Sequence, residues 1–187
     1  MEATKLARNV MLWLVPAAVV WILTTGFYNR FLTVSTQNLL HLTEDPDVTE
    51  LHPYAKDDSY VTIHRRDFPP SRSQVYSVRV TDIHFHLVLL LALFLAPPGV
   101  SWRLRLTHLG WALLVTVFYH LLLFFFWVKF AYATQLGQWS IANYGAFARN
   151  FYGLGKHLLD LPFKLALPLA LWVFFYLPLL RSRQAAD

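Results

Sequence analysis

The chain has 187 residues, of which 56% are hydrophobic and 17% aromatic, with a formal net charge of +5 and no cysteine. Soluble domains run nearer about 45–50% apolar, so the excess, gathered into long runs, points to a membrane protein of mainly α class. The absence of cysteine excludes disulfides, thiolate metal sites and a cysteine nucleophile. The basic residues flank apolar runs, which implies lipid headgroups as partners and no nucleic acid.

The first apolar run, Asn9–Tyr28, follows Lys5 and Arg8. It is long enough to span, and bulky Phe27, Tyr28, Asn29, Arg30 and Phe31 follow it instead of a small-residue cleavage site, so residues 1–28 are expected to be a cytoplasmic N-terminus and a retained anchor helix. Residues 29–81 form a polar, extracytoplasmic segment. Phe27, Phe31, Val34, Asn38 and Leu42 keep helical spacing out of the membrane, and Glu44, Asp45 and Pro46 end that helix. Short strands are predicted at Val48–His52, Ser59–His64 and Gln74–Thr81; in the last, Tyr76, Val78 and Val80 alternate with polar positions. Pro69 and Pro70 suit a connecting loop. Three such strands make a sheet too small to stand alone, so it is expected to rest on helices, bilayer or a partner.

Residues 82–133 read as a transmembrane hairpin. Its first arm, Asp82–Ala96, is short against the ~20 residues a spanning helix needs and ends at Pro97 and Pro98. A tight basic turn with Arg103 and Arg105 leads to the second arm, about Thr107–Ala133. Residues 134–160 mix Trp139, Tyr144, Phe147, Phe151 and Tyr152 with Arg149 and Lys156. Burying each charge in hydrocarbon would cost about 2.5–3.5 kcal/mol, so an interfacial segment is expected there. Residues 161–187 supply the last span, about Leu161–Leu180, and a cytoplasmic tail with Arg181 and Arg183. Four spans place all three basic flanks on one side, the cytoplasmic side, with both termini there.

Chemistry-bearing residues are few. There is no Walker loop, no GxSxG and no HExxH. His84, His86 and His120 are metal candidates, since ionisable groups in a membrane are functional by default. The plain reading is packing: His84 and His86, two residues apart, face different ways, and His120 hydrogen-bonds a neighbouring helix. No metal and no cofactor is therefore assigned. Lys129 is expected to snorkel to the interface. Arg65 and Arg66 read as a solvated surface or a contact for an acidic partner or headgroup, and Trp139 and Arg149 complete the partner-contact candidates.

The hairpin HFHLVLLLALFLAPPGVSWRLRL, with the anchor and the extracytoplasmic stretch before it and further spans after it, resembles the exosortase H-associated membrane proteins. These are small multi-span bacterial proteins associated with an exosortase, a membrane sorting transpeptidase. The resemblance lies in layout and texture over the whole chain and carries no functional residue with it. It implies a location in the bacterial inner membrane and a role beside the enzyme. Exosortases use Cys, Arg and His, so a chain without cysteine is not the transpeptidase. The resemblance implies a non-enzymatic accessory that binds the sorting enzyme, its substrate's C-terminal helix, or both. The rival readings are a small membrane enzyme built on His84, His86 and His120, and a subunit of a transporter or respiratory-type complex.

Overall fold

In the computed structural model, which describes residues 3–54 and 57–184, the basic start and the first apolar run belong to one helix, α1 (Ala3–His41). The segment predicted to leave the membrane as a helix is the direct continuation of the anchor. At 1.5 Å per residue, its 39 residues reach about 58 Å, well beyond a hydrocarbon core of about 30 Å. Beyond His41 the Thr43 hydroxyl donates to the Leu40 carbonyl, and Glu44, Asp45 and Pro46 follow outside the helix, as the sequence predicts.

Three strands follow: β1 (Thr49–Pro53), β2 (Tyr60–Arg65) and β3 (Gln74–Arg79). They form an antiparallel sheet in the order β1-β2-β3, with Leu51 opposite Ile63 and Ile63 opposite Tyr76. All three lie within two residues of their predicted ends. Val80 and Thr81, predicted as strand, belong instead to a short helix, α2 (Val80–His84). The Val80 N–H closes the ladder on the Ser59 carbonyl, and Asp82 sits in the helix's first turn, where a carboxylate is favoured. The outward edge of β1 is closed by side chains. Glu44 accepts the Thr49 N–H, Gln37 accepts the Leu51 N–H, and the His41 ring meets the Thr49 carbonyl at 2.7 Å.

The apolar run after α2 becomes α3 (Leu87–Leu95). Even taken together, Val80–Leu95 is shorter than a membrane span, so the expected second span is not among the three helices that, within the described residues, are long and apolar enough to cross. Pro97 and Pro98 make the predicted turn, and α4 (Trp102–Thr134) follows with 33 residues. Arg105 donates to the carbonyls of Leu95 and Val100, so this basic residue ties the turn together.

A short helix α5 (Gln138–Asn143) precedes α6 (Ala146–Leu158). A π-helical turn, Leu159–Phe163, joins α6 to α7 (Lys164–Gln184). The expected division at residue 160 is therefore not a break: Ala146–Leu179 is one apolar helical stretch of 34 residues. Phe147, Phe151, Leu154 and Leu158 recur at helical spacing on its exposed face. The end of the predicted tail, residues 185–187, lies outside the described residues.

The chain divides into two compact units. One holds residues 3–24, Phe85–Phe118 and 162–184. Its core is Leu90, Phe94, Val100, Leu109, Ala112 and Tyr176; the Tyr176 hydroxyl donates to the Phe94 carbonyl at 2.9 Å, binding α7 to α3. The other unit holds Thr25–His84 and Tyr119–Leu161. Here Leu51, Val61, Ile63 and Val78 of the sheet pack with Leu32 and Leu40 of α1 and Leu123, Phe124, Val128 and Tyr132 of α4. The sheet rests on helices, as its small size requires. Helix α6 lies close on the same stretch of α4: a side chain added at Gly155 would meet the Phe126 ring.

Candidate functional site

Charged side chains in a membrane-type protein need partners, because burying an isolated charge is far costlier than burying a pair. In the sheet-bearing unit two such pairs converge on one cavity of about 340 Å³. The turn after α1 delivers Glu44, and α4 delivers Lys129. The Lys129 Nζ donates to Glu44 Oε1 at 3.1 Å, and the two side chains are only 8% and 7% exposed. Glu44 also accepts the Thr49 hydroxyl at 2.7 Å and the Thr49 N–H at 3.2 Å. The Thr49 and Tyr132 hydroxyls lie 2.8 Å apart. One carboxylate thus links α1, β1 and α4.

The second pair comes from β2 and the loop after it. Arg65 donates from Nε and Nη2 to the two oxygens of Asp67, at 2.9 and 2.7 Å, a fork-on-carboxylate geometry. Its guanidinium carbon lies 4.4 Å from the ring centre of Trp139, 4.8 Å from that of Tyr132 and 5.2 Å from that of Phe68. Planar, weakly hydrated arginine suits such an aromatic setting better than lysine would. The hydrogen bonds from Arg65 hold the Asp67 carboxyl below the usual carboxylate range. Asn143 and Tyr144, after Trp139, and Thr43 and Asp45, beside Glu44, complete the polar lining. Burial pushes the Tyr144 phenol up to about 12, so it stays a neutral hydroxyl.

A second polar cluster lies in the same unit. The Tyr28 hydroxyl and His120 Nδ1 are 2.6 Å apart, and His84 Nε2 is 2.7 Å from Asn29 Oδ1. Asn29 in turn donates to the Asp58 carbonyl at 2.9 Å, so the cluster reaches the turn between β1 and β2. The His84 and His120 rings lie 6.2 Å apart between centres, with Tyr28 edge-on to both. His86 belongs to the other unit. Among the described residues no group of three or more His, Cys, Asp or Glu side chains is placed to hold a metal ion.

The candidates from the sequence separate clearly. Arg65 is buried, which corrects the expectation of a solvated surface, and it shares the cavity with Trp139. Arg66, its neighbour on the opposite face of the chain, is exposed and pairs with Glu50 at 2.7 Å. The His52 hydrogen bond, and Arg66 after it, hold the Glu50 carboxyl below its ordinary range. Arg149 is half-buried on α6 and does not line the cavity. The Lys129 ammonium is buried against Glu44. The sequence marks Glu44 only as a helix end and Tyr144 only as one of an aromatic group, and neither they nor Asp67 and Asn143 are among its site candidates. The available signal was a lone lysine in a Phe-rich run, which demands a buried acidic partner without naming it.

These features define a mostly helical protein with, among the described residues, three helices long and apolar enough to cross a membrane, a small sheet and a charge-paired cavity. No protein-family model matches the chain, and neither a curated protein nor a solved structure matches it.

Proposed function

We propose that this chain is a non-enzymatic accessory subunit of the bacterial inner membrane, acting by helix packing on another membrane protein in an exosortase-type sorting system. One observation carries the reading. Only 6% of the most apolar stretch of α1 and 11% of that of Ala146–Leu179 are buried within the chain, against 33% for α4. Few residues of these two stretches are therefore fully covered by the chain itself, and large side chains such as Leu23 at 79% and Phe27 at 78% are exposed. In lipid, helix association draws on close packing and not on hydrophobic burial, so such surfaces suit a partner helix. The layout likeness supplies the sorting system and the class of partner. In this reading Val80–Leu95 makes a fourth, short crossing where the bilayer thins, and both termini are cytoplasmic.

The test uses the missing cysteines. Single-cysteine variants at Leu23 and Phe27 are cross-linked in membranes that co-express an exosortase-type enzyme. Specific cross-links to that enzyme, with slower processing of its substrates when this chain is deleted, support the role. Normal processing without this chain would refute it. Reporter fusions after Tyr54 and at the C-terminus test the topology; the same side for both sinks the four-span arrangement.

The enzyme reading retains one supporting observation, the approach of His84 and His120 around Tyr28. Stoichiometric metal in the purified protein, lost in His120→Ala, would favour it over the accessory role.

A further inference from the structure

The cavity holds more hydrogen-bonding capacity than its ion pairs use. The Lys129 ammonium has three N–H donors, and one goes to Glu44. Arg65 engages Asp67 through Nε and Nη2, which leaves both N–H groups of Nη1 without a protein acceptor among the described residues. Both side chains are about nine-tenths buried, and both line the cavity. Two fixed cations with spare donors, one a compact point charge and one a planar fork, form a receptor for an oxyanion.

A plain anion does not suit the rest of the lining. Glu44, Asp45 and Asp67 set three negative charges against the two positive ones. Glu44 and Asp67 pair with Lys129 and Arg65, so these two cations offer spare N–H donors but no excess positive charge, and the net charge of the lining is the negative one of Asp45. Asp45 is exposed, and no ion pair engages it among the described residues. The exposed carboxylate of Asp45 can accept from a cation with N–H donors, and the hydroxyls of Thr43 and Tyr144 can accept from the same group. The face of Trp139, which would attract a quaternary ammonium, already carries Arg65 at 4.4 Å.

We propose that this cavity binds a zwitterionic phosphate ester bearing a primary ammonium, the phosphoethanolamine group, with its phosphate on Lys129 and Arg65 and its ammonium at Asp45. The group could reach the site as a lipid headgroup or as a free molecule. A volume of about 340 Å³ accommodates the headgroup with the start of its glycerol.

The full chain, purified in detergent free of phospholipid, is titrated with phosphoethanolamine, phosphocholine and inorganic phosphate, and binding is read by phosphorus NMR. Phosphoethanolamine is expected to bind at least about tenfold more tightly than either rival, the worth of one charge-assisted hydrogen bond. Asp45→Asn lies on an exposed loop. It should lower phosphoethanolamine affinity about tenfold and leave inorganic phosphate unchanged or slightly tighter. Native mass spectrometry with phosphatidylethanolamine and phosphatidylcholine of the same acyl chains separates the sources. Selective retention of phosphatidylethanolamine, lost in Asp45→Asn, supports a lipid ligand; selectivity for the soluble group alone supports a free one. Equal binding of all three soluble probes, no binding of any together with equal retention of the two lipids, or an Asp45→Asn variant that binds phosphoethanolamine and retains phosphatidylethanolamine as well as the parent would each overturn the proposal.

Discussion

Replacing Lys129 by Met removes the cation that balances Glu44. Both side chains are more than nine-tenths buried, so the carboxylate left behind has little water to turn to. Breaking a buried pair from one side costs about 3–5 kcal/mol. Glu44 keeps the Thr49 hydroxyl and N–H, which places the expected loss near the lower end, about 3 kcal/mol. For a chain of this size that corresponds to a fall in Tm of about 6–12 °C. The double variant Glu44→Gln/Lys129→Met removes both charges at once and should cost less than the two single losses added together, with a coupling of about 2 kcal/mol. Thermal unfolding in detergent, followed by the fluorescence of the 7 tryptophans, reads all four corners of the cycle. Losses that simply add, or a Lys129→Met variant as stable as the parent, would show that the pair does not hold α1, β1 and α4 together.

Other consequences follow from packing and charge. Gly155→Leu forces a side chain into the Phe126 ring and should destabilise the protein by about 1–3 kcal/mol; Gly145→Ala, where an added side chain meets nothing, should be near neutral in the same unfolding assay. Acid should destabilise the sheet-bearing unit in two stages. Burial, with His52 beside it, keeps the His64 pKa below its ordinary value, so the stability this confers is complete above about pH 6.5 and is lost as pH falls toward the lower folded value. The depressed Asp67 and Glu50 carboxyls contribute stability present above about pH 4 and lost as pH falls through their lower folded values. Unfolding midpoints measured against pH should show both steps, and Asp67→Asn should flatten the lower one. Asn29→Leu removes the acceptor 2.7 Å from His84 Nε2 and the donor to the Asp58 carbonyl, with an expected loss of about 1–3 kcal/mol; unchanged stability would mean the network is not structural.

The sequence by itself determined the local elements. The apolar runs specified the long helices, because a stretch of side chains with no polar interruption has one favourable environment whatever its neighbours are. The alternation of Tyr76, Val78 and Ser77 and the prolines at 69 and 70 specified the strands and their loop, because the pleat and the fixed proline φ act within a few residues. It also marked Arg65 and Trp139 as residues worth explaining. Tertiary structure decided the rest. That Val80 and Thr81 turn into a helix instead of extending β3, and that Ala146–Leu179 runs on as one stretch, depended on how distant segments satisfied backbone groups and apolar faces. The partners of Lys129 and Arg65 were beyond local reading for the same reason. Glu44 lies 85 residues from Lys129 along the chain, and a buried charge dictates that a counter-charge must come, while only the folded path of the backbone dictates which one arrives.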